Sequence, residues 1–332
     1  MALVLSQTDV QRCLDMPAAI ESMRTAFLAL HAGHAQMPPR ASIELSTENL
    51  ALLMPSLLQT ATQASFGLKL VTVVPTNPQR SLPSISATVL LLDATTGQTL
   101  AILAGSWLTA MRTGAVSGLA TDLLARPEAD VLALFGAGAQ APMQVWAIHT
   151  VRPLREVRVV IRDGAHYKYE QLVRTLQQQL GTACPPLHRT ANAHEALTGA
   201  SLVACATPAT SPLFASPDIA PGTHINAIGA FTPAMCEVDP ATLARSRIVV
   251  DQREAALDEA GDLLQALAQG RIAGPATWLE LGQLVSGEQR GRQSLEEITF
   301  FKSVGLGIQD LVVASHVYER ARVLGVGVEV DI

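Results

Sequence analysis

The sequence predicts an α/β protein in which a doubly wound parallel sheet is inserted into a discontinuous, β-rich α+β domain. Three observations carry that expectation. Residues 131–141, VLALFGAGAQA, run a branched apolar segment into Gly136, Gly138 and Ala141, the G-x-G-x-x-G/A spacing that closes a strand, turns tightly and opens a helix. Beyond it, extended and helical segments alternate, the signature of a parallel sheet with crossover helices. Before it the chain is mostly extended, and the last residues return to an extended pattern that can rejoin the first sheet. The expected outer domain is therefore 1–115 plus 305–332, and the inserted Rossmann-type domain is 116–304.

Taken in order, Asp15 is placed to cap a helix over 16–30, where Ile20, Met23, Phe27 and Leu30 recur at helical spacing. Extended segments follow at 41–45, 50–54, 67–74, 86–93 and 98–103, the last two joined by the turn Ala94-Thr95-Thr96-Gly97. Residues 105–124 turn helical and carry Arg112 and Thr113. The alternating part then reads as strand 131–134, helix 140–150, strand 157–161, helices 167–180 and 193–197, strands 201–206, 224–228 and 247–251, and one helix near 253–269. Strand 298–302, helix 306–324 and a final segment 326–330 complete the chain.

Composition excludes several classes of function. A chain of 332 residues with 48% hydrophobic and 16% charged content has enough material for two domains and a sizeable core. Its net charge of −6 argues against nucleic acid or an anionic membrane as partner. No apolar run is long enough to span a bilayer, and the start MALVLSQTDVQRCLD lacks a basic segment followed by a long apolar one, so a cytoplasmic setting is expected. Cys13, Cys184, Cys205 and Cys236 lack metal or redox spacing and read as buried free thiols, and the eight histidines form no ligand cluster.

A dinucleotide pyrophosphate is expected on the turn formed by Gly136, Ala137, Gly138, Ala139 and Gln140, against the positive end of the following helix. Thr207 and Ile228, at the ends of later strands, extend the expected cofactor edge. An acidic residue ending the second strand would bind a ribose diol, whereas here that strand ends in Arg162, which suits a 2′-phosphate. Asp163 follows directly and would favour NAD if the strand ran one residue further. NADPH is therefore the expected cofactor, with NADH the alternative.

Six stretches, the glycine turn among them, carry a resemblance. GLKLVTVVPTNP, LLLDATTGQTLAIL, LTAMRTGAVSGLAT, LFGAGAQA, HINAIGAFTPAMCEVD and FFKSVGLGIQD occur in the order seen in the ornithine cyclodeaminase and μ-crystallin family, and the match covers nearly the whole chain. The resemblance implies a homodimer built through the N-terminal β-rich domain, with the active site in a cleft facing the Rossmann domain. It implies that Lys69, Arg112 and Arg40 surround a substrate carboxylate, and that Thr113, Gln140, Ser303 and Lys302 lie near the cofactor. From the residues alone, Lys69 sits in an otherwise apolar strand and must face solvent or meet an anion. Arg112 suits either a bidentate carboxylate contact or an internal salt bridge.

Two departures from the cyclodeaminase pattern narrow the expected chemistry. Members that release ammonia from ornithine carry an Asp where this sequence has Phe231, and a Glu before the Met-Pro pair where it has Leu52. Phenylalanine accepts no proton and leucine offers nothing to a distal ammonium. The remaining constellation resembles the branch that reduces cyclic ketimines, Δ1-pyrroline-2-carboxylate and Δ1-piperideine-2-carboxylate, to L-proline and L-pipecolate. Met54 and Phe231 would then line an apolar ring, with Lys69, Thr232 or solvent supplying the proton. Two other readings stay open at this point: ornithine cyclodeaminase or alanine dehydrogenase activity, and a non-catalytic NADPH and small-ligand binder of μ-crystallin type. No metal is expected.

Overall fold

The computed structural model describes residues 1–60, 64–162, 164 and 166–332, residue 78 by its backbone alone. The chain divides into two compact units, Met1–Arg112 with Gly305–Ile332, and Thr113–Val304. The division falls within a single helix, Gly105–Leu124.

The first unit opens on strand β1 (Ala2–Leu5) and helix α1 (Gln7–Cys13), which Ser6 and Asp9 cap reciprocally. Neither element is anticipated above, although Ser-x-x-Asp is a legible start signal. Helix α2 (Met16–His31) begins as expected at Asp15, whose carboxylate accepts from Ala18 N at 2.9 Å, and it buries Met16, Met23 and Phe27. Strands β2 (Ala35–Gln36), β3 (Ala41–Glu44), β4 (Leu50–Gln59), β5 (Ala64–Val73), β6 (Ile85–Asp93) and β7 (Thr99–Ala104) follow, and helix α3 (Gly105–Leu124) leaves the sheet. Between β6 and β7, Asp93 accepts from Thr95 N at 2.7 Å and Thr96 N at 2.9 Å, which forms the expected turn.

Register decides which side chains face the core. Met54 of β4 lies opposite Lys69 of β5, which lies opposite Val89 of β6; Leu52, Val71 and Ala87 form the next row. With a side-chain period of two, both rows share one face, and Leu52, Met54, Lys69, Val71 and Val89 are buried there. The intervening residues Phe66 and Leu70 of β5 remain exposed.

The second unit starts with β8 (Val131–Phe135), α4 (Ala141–Val151), β9 (Glu156–Val160), α5 (His166–Leu180), β10 (Leu187–Thr190), α6 (Ala193–Leu197), β11 (Leu202–Cys205) and β12 (His224–Ala227). It continues through α7 (Pro240–Leu243), β13 (Ser246–Val250), α8 (Arg253–Glu259), α9 (Gly261–Ala268), β14 (Leu279–Glu280), α10 (Leu281–Val285) and β15 (Ile298–Lys302). Among the described residues all pairings are parallel, in the order β10-β9-β8-β11-β12-β15-β13-β14. Val131, Ala133 and Phe135 enter one apolar cluster and Leu132 and Leu134 another, so β8 is buried on both faces, as a central parallel strand must be. The direction of strand order reverses beside β8, which puts the switch point of the fold at the glycine turn.

The chain then returns to the first unit as α11 (Gly307–Leu324) and β16 (Val328–Val330); the latter rejoins the first sheet as expected, by pairing antiparallel with the unanticipated β1. The expected single helix over 253–269 is two helices. Ala260, at φ −78° and ψ 82°, breaks it and turns Asp262 inward. Strand β10 is an addition to the sequence reading, and Cys184 is only partly buried, unlike the other three free cysteines. Among the described residues no helix is long and apolar enough to cross a membrane, and no group of three or more His, Cys, Asp or Glu is placed to hold a metal ion.

Candidate functional site

In the first unit, two basic residues from distant parts of the chain meet one carboxylate, and Arg40 is near enough to act on Lys69. Lys69 projects from β5 beside Met54, and its Nζ lies 2.6 Å from Asp310 Oδ2 with both side chains enclosed. Arg112, in α3, donates from Nε to Asp310 Oδ1 at 3.1 Å and from Nη1 to Gln309 Oε1 at 2.9 Å. Arg40, before β3, donates from Nη2 to the carbonyl of Gly305 at 3.3 Å. Leu306 N also donates to Gln309 Oε1, at 3.1 Å, which fixes the amide at the start of α11.

Burial pulls the Lys69 ammonium down to about 8; Asp310 opposes that shift, and Arg112 and Arg40 reinforce it. Two buried cations, Lys69 and Arg112, thus share one buried carboxylate, and that arrangement suits a further anion of the size of a carboxylate. Leu52, one pair along the same face, packs against Met54 and Val71. This wall of the cluster is apolar and carries no acid. Asp310 and Gln309 were not singled out from the sequence, although both lie at the end of the quoted motif FFKSVGLGIQD.

The second unit gathers the expected cofactor residues on the carboxyl ends of its strands. Gly136 follows β8 at φ +101°, and a Cβ there would come within 2.8 Å of Ala206 O and 3.0 Å of Thr207 Cγ2. Ala137, Gly138 and Ala139 continue the turn. A Cβ on Gly138 would meet no described atom within 4 Å, so the backbone is open there. No side chain caps α4, and Gln140 Oε1 is buried without a hydrogen-bond partner among the described residues. An open glycine turn and an uncapped helix start fit a dinucleotide diphosphate, and the orphaned amide oxygen of Gln140 suits a hydrogen-bond donor such as a ribose hydroxyl. Thr113 lies against α4, its carbonyl accepting from Gln144 Nε2 at 3.3 Å.

Beyond the switch point, Thr207 follows β11, Ile228 follows β12 and Ser303 follows β15. Ile228 N donates to Cys205 O at 3.0 Å, and Ser303 Oγ donates to Asp251 Oδ2 at 2.9 Å. Phe231 and Thr232 lie half-buried in the loop after β12. Lys302 is fully enclosed, its Nζ 2.6 Å from Asp262 Oδ2. It supports this edge from within, because Asp262 Oδ1 also accepts from Glu237 N at 2.6 Å and Val238 N at 2.9 Å. His224, drawn down to about 3 chiefly by burial, is held between Thr299 and Asn226 and stays neutral.

At the distal end of β9 the strand stops at Val160, one residue earlier than expected, and Arg162 is exposed just past it. Asp163, the competing candidate for the ribose, lies outside the described residues.

Comparison with known proteins supports these assignments of fold. Residues 1–324 match the model of the ornithine cyclodeaminase/mu-crystallin family. The chain is 38% identical over 331 residues to a Δ1-pyrroline-2-carboxylate reductase of Bacillus cereus, covering 99% of each chain. The structure of Thermococcus litoralis Δ1-pyrroline-2-carboxylate reductase in complex with NADH and L-proline superposes with a TM-score of 0.92 at 36% identity, covering 99% of this chain and 100% of that one. An archaeal alanine dehydrogenase dimer with bound NAD does so with a TM-score of 0.90 at 33% identity, covering 99% of both. With a parallel sheet, a glycine turn at its switch point and a largely antiparallel sheet carrying clustered cations, matched over almost its full length, this chain belongs to the ornithine cyclodeaminase/mu-crystallin family.

Proposed function

We propose that this protein is an NADPH-dependent reductase of small cyclic ketimine 2-carboxylates, converting Δ1-pyrroline-2-carboxylate to L-proline and Δ1-piperideine-2-carboxylate to L-pipecolate. The observation that carries the reading is the buried cluster in which Lys69 and Arg112 share the carboxylate of Asp310. When bound, the dinucleotide supplies hydride to the imine carbon. Lys69 and Arg112, with Arg40, hold the carboxylate and so orient the ring. The ring nitrogen needs one proton, and an ammonium drawn down to about 8 is both charged and able to release its proton near neutral pH. Thr232 is a relay for that proton rather than its source. Met54 and Phe231 give the ring apolar contacts. Leu52 and Phe231 replace the two acids that an open-chain diamine substrate would require, which supports imine reduction over ornithine deamination.

The same reading assigns the cofactor to Gly136 through Gln140, with Thr113, Thr207, Ile228 and Ser303 along the edge, and a 2′-phosphate to Arg162. It makes the protein a cytoplasmic homodimer joined through the outer face of the first sheet, where Phe66 and Leu70 are exposed. Oxidation of NADPH and NADH, followed with both cyclic imines, with ornithine and with pyruvate plus ammonia, tests the reading. Imine-dependent oxidation faster with NADPH is expected. Ammonia release from ornithine at a comparable rate, or turnover with pyruvate and ammonia alone, would reject it. NADPH binding without any imine turnover would favour a ligand carrier.

A further inference from the structure

Glu237 is a buried carboxylate that neither the glycine turn nor the cation cluster accounts for. It lies in the loop after β12, wholly buried. Its Oε1 accepts from Thr207 N at 2.7 Å and Thr207 Oγ1 at 2.8 Å; its Oε2 accepts from Gly229 N at 2.8 Å and Ala230 N at 3.1 Å. Four donors fill the acceptor capacity of an ionised carboxylate, and one oxygen serves each turn. The two turns are pressed together where the bonds meet: a Cβ on Gly229 would lie 2.2 Å from Thr207 O and 2.5 Å from Glu237 Oε1. Thr207 in turn packs its methyl against Gly136. The chain of contact thus runs from Glu237 through Thr207 to the first glycine of the phosphate turn, and through Ala230 to Phe231 and Thr232.

We propose that Glu237 is a positioning residue for the dinucleotide: as a carboxylate it clamps the turn after β11 to the turn after β12, and so sets the cofactor edge beside Gly136. The proposal rests on the reading that the second unit binds a dinucleotide. The groups facing Glu237 are consistent with a fixed charge at this place. Asp262 of α9 holds its backbone N, Lys302 of β15 neutralises Asp262, and the thiols of Cys205 and Cys236 are driven toward their protonated forms by burial. Burial also raises the Glu237 carboxyl, against the pull of Lys302 and the hydrogen bonds from Thr207. Protonation would replace one acceptor by a donor and release one of the two turns.

Glu237→Gln makes the same exchange permanently, since its amide nitrogen must face backbone N–H groups of one turn or the other. Titration of the protein with NADPH, read by the fluorescence of the dinucleotide, is expected to give a Kd at least about tenfold weaker for Glu237→Gln, the cost of leaving buried donors unpaired. Wild-type affinity should fall as pH is lowered through the titration of Glu237, while the Gln variant should lack that dependence. A Kd within twofold of wild type, or the same pH dependence in both proteins, would overturn the clamp. Should Glu237→Gln fail to fold, Thr207→Val and Thr207→Ser carry the test. Valine removes one donor and should weaken NADPH binding severalfold, serine should restore it, and equal affinities would overturn the proposal. Wild-type protein that binds no dinucleotide would overturn the underlying reading as well, an outcome distinct from wild type and variant binding equally.

Discussion

Replacing Asp310 by Asn removes the carboxylate bonded to both Lys69 and Arg112 while keeping its shape. Its oxygen lies 2.6 Å from Lys69 Nζ. At a charge separation of about 3 Å and an effective dielectric of about 20, the lost attraction is on the order of 5 kcal/mol. One pKa unit corresponds to about 1.4 kcal/mol, so even after screening and relaxation the Lys69 ammonium should fall by at least about one unit. Wild-type Lys69 titrates at about 8, so at pH 8 it is about half protonated. In Asp310→Asn the protonated fraction at pH 8 drops to about a tenth or less. The pH profile of kcat/KM for Δ1-pyrroline-2-carboxylate reads this directly. The alkaline limb should move to lower pH by at least about one unit, with at least about a fivefold loss at pH 8 that narrows as pH is lowered. An unmoved limb, or a uniform loss at every pH, would refute the assignment of Lys69 as proton donor and of Asp310 as the group that keeps it charged.

Further outcomes follow from the same geometry. Because the folded-state value of Lys69, about 8, lies below its ordinary 10.5, the unfolded chain binds the extra proton between those values, and this group's contribution to stability increases across that window by about 3 kcal/mol; Lys69→Met should abolish that rise in denaturant titrations. Arg162→Ala should raise KM for NADPH by about 10- to 100-fold and leave KM for NADH within twofold, and equal changes for both cofactors would show that Arg162 does not read the 2′-phosphate. Lys302→Met leaves Asp262 charged and enclosed, so a loss of about 3–5 kcal/mol is expected; a change below 1 kcal/mol would contradict the role given to this pair.

Elements with strong periodicity were legible in the sequence. Helix α2 announces itself through Asp15 and its apolar face, and β8 through an unbroken apolar run ending at Gly136. The short pieces were not: β1 and β10 are four residues each, too brief for alternation to stand out. The break at Ala260 was masked because the apolar pattern continues across it. What distinguishes α9 is the inward Asp262, whose reason is Lys302, forty residues further on. The site divides in the same way. Lys69 was conspicuous as a charge in an apolar strand, with two readings, solvent or an anion; the structure supplies the anion, Asp310. Of the two contacts foreseen for Arg112, the structure shows the internal salt bridge, to Asp310. Pairings across 198 residues, as between Arg112 and Asp310, leave no local pattern for one sequence to display. Glu237 was missed for the same reason: its four donors come from segments seven to thirty residues away, and in sequence it is one acid among many.

The central claim is that hydride reaches the carbon of a cyclic imine whose carboxylate is held by Lys69 and Arg112. Its most direct test is the stoichiometry of the reaction of the wild-type protein with NADPH and Δ1-pyrroline-2-carboxylate, with the product resolved by chiral chromatography. One L-proline formed for each NADPH oxidised, with no ammonia from ornithine under the same conditions, is the expected result. NADPH left unconsumed in the presence of the imine, or proline arising from ornithine with release of ammonia, would contradict it.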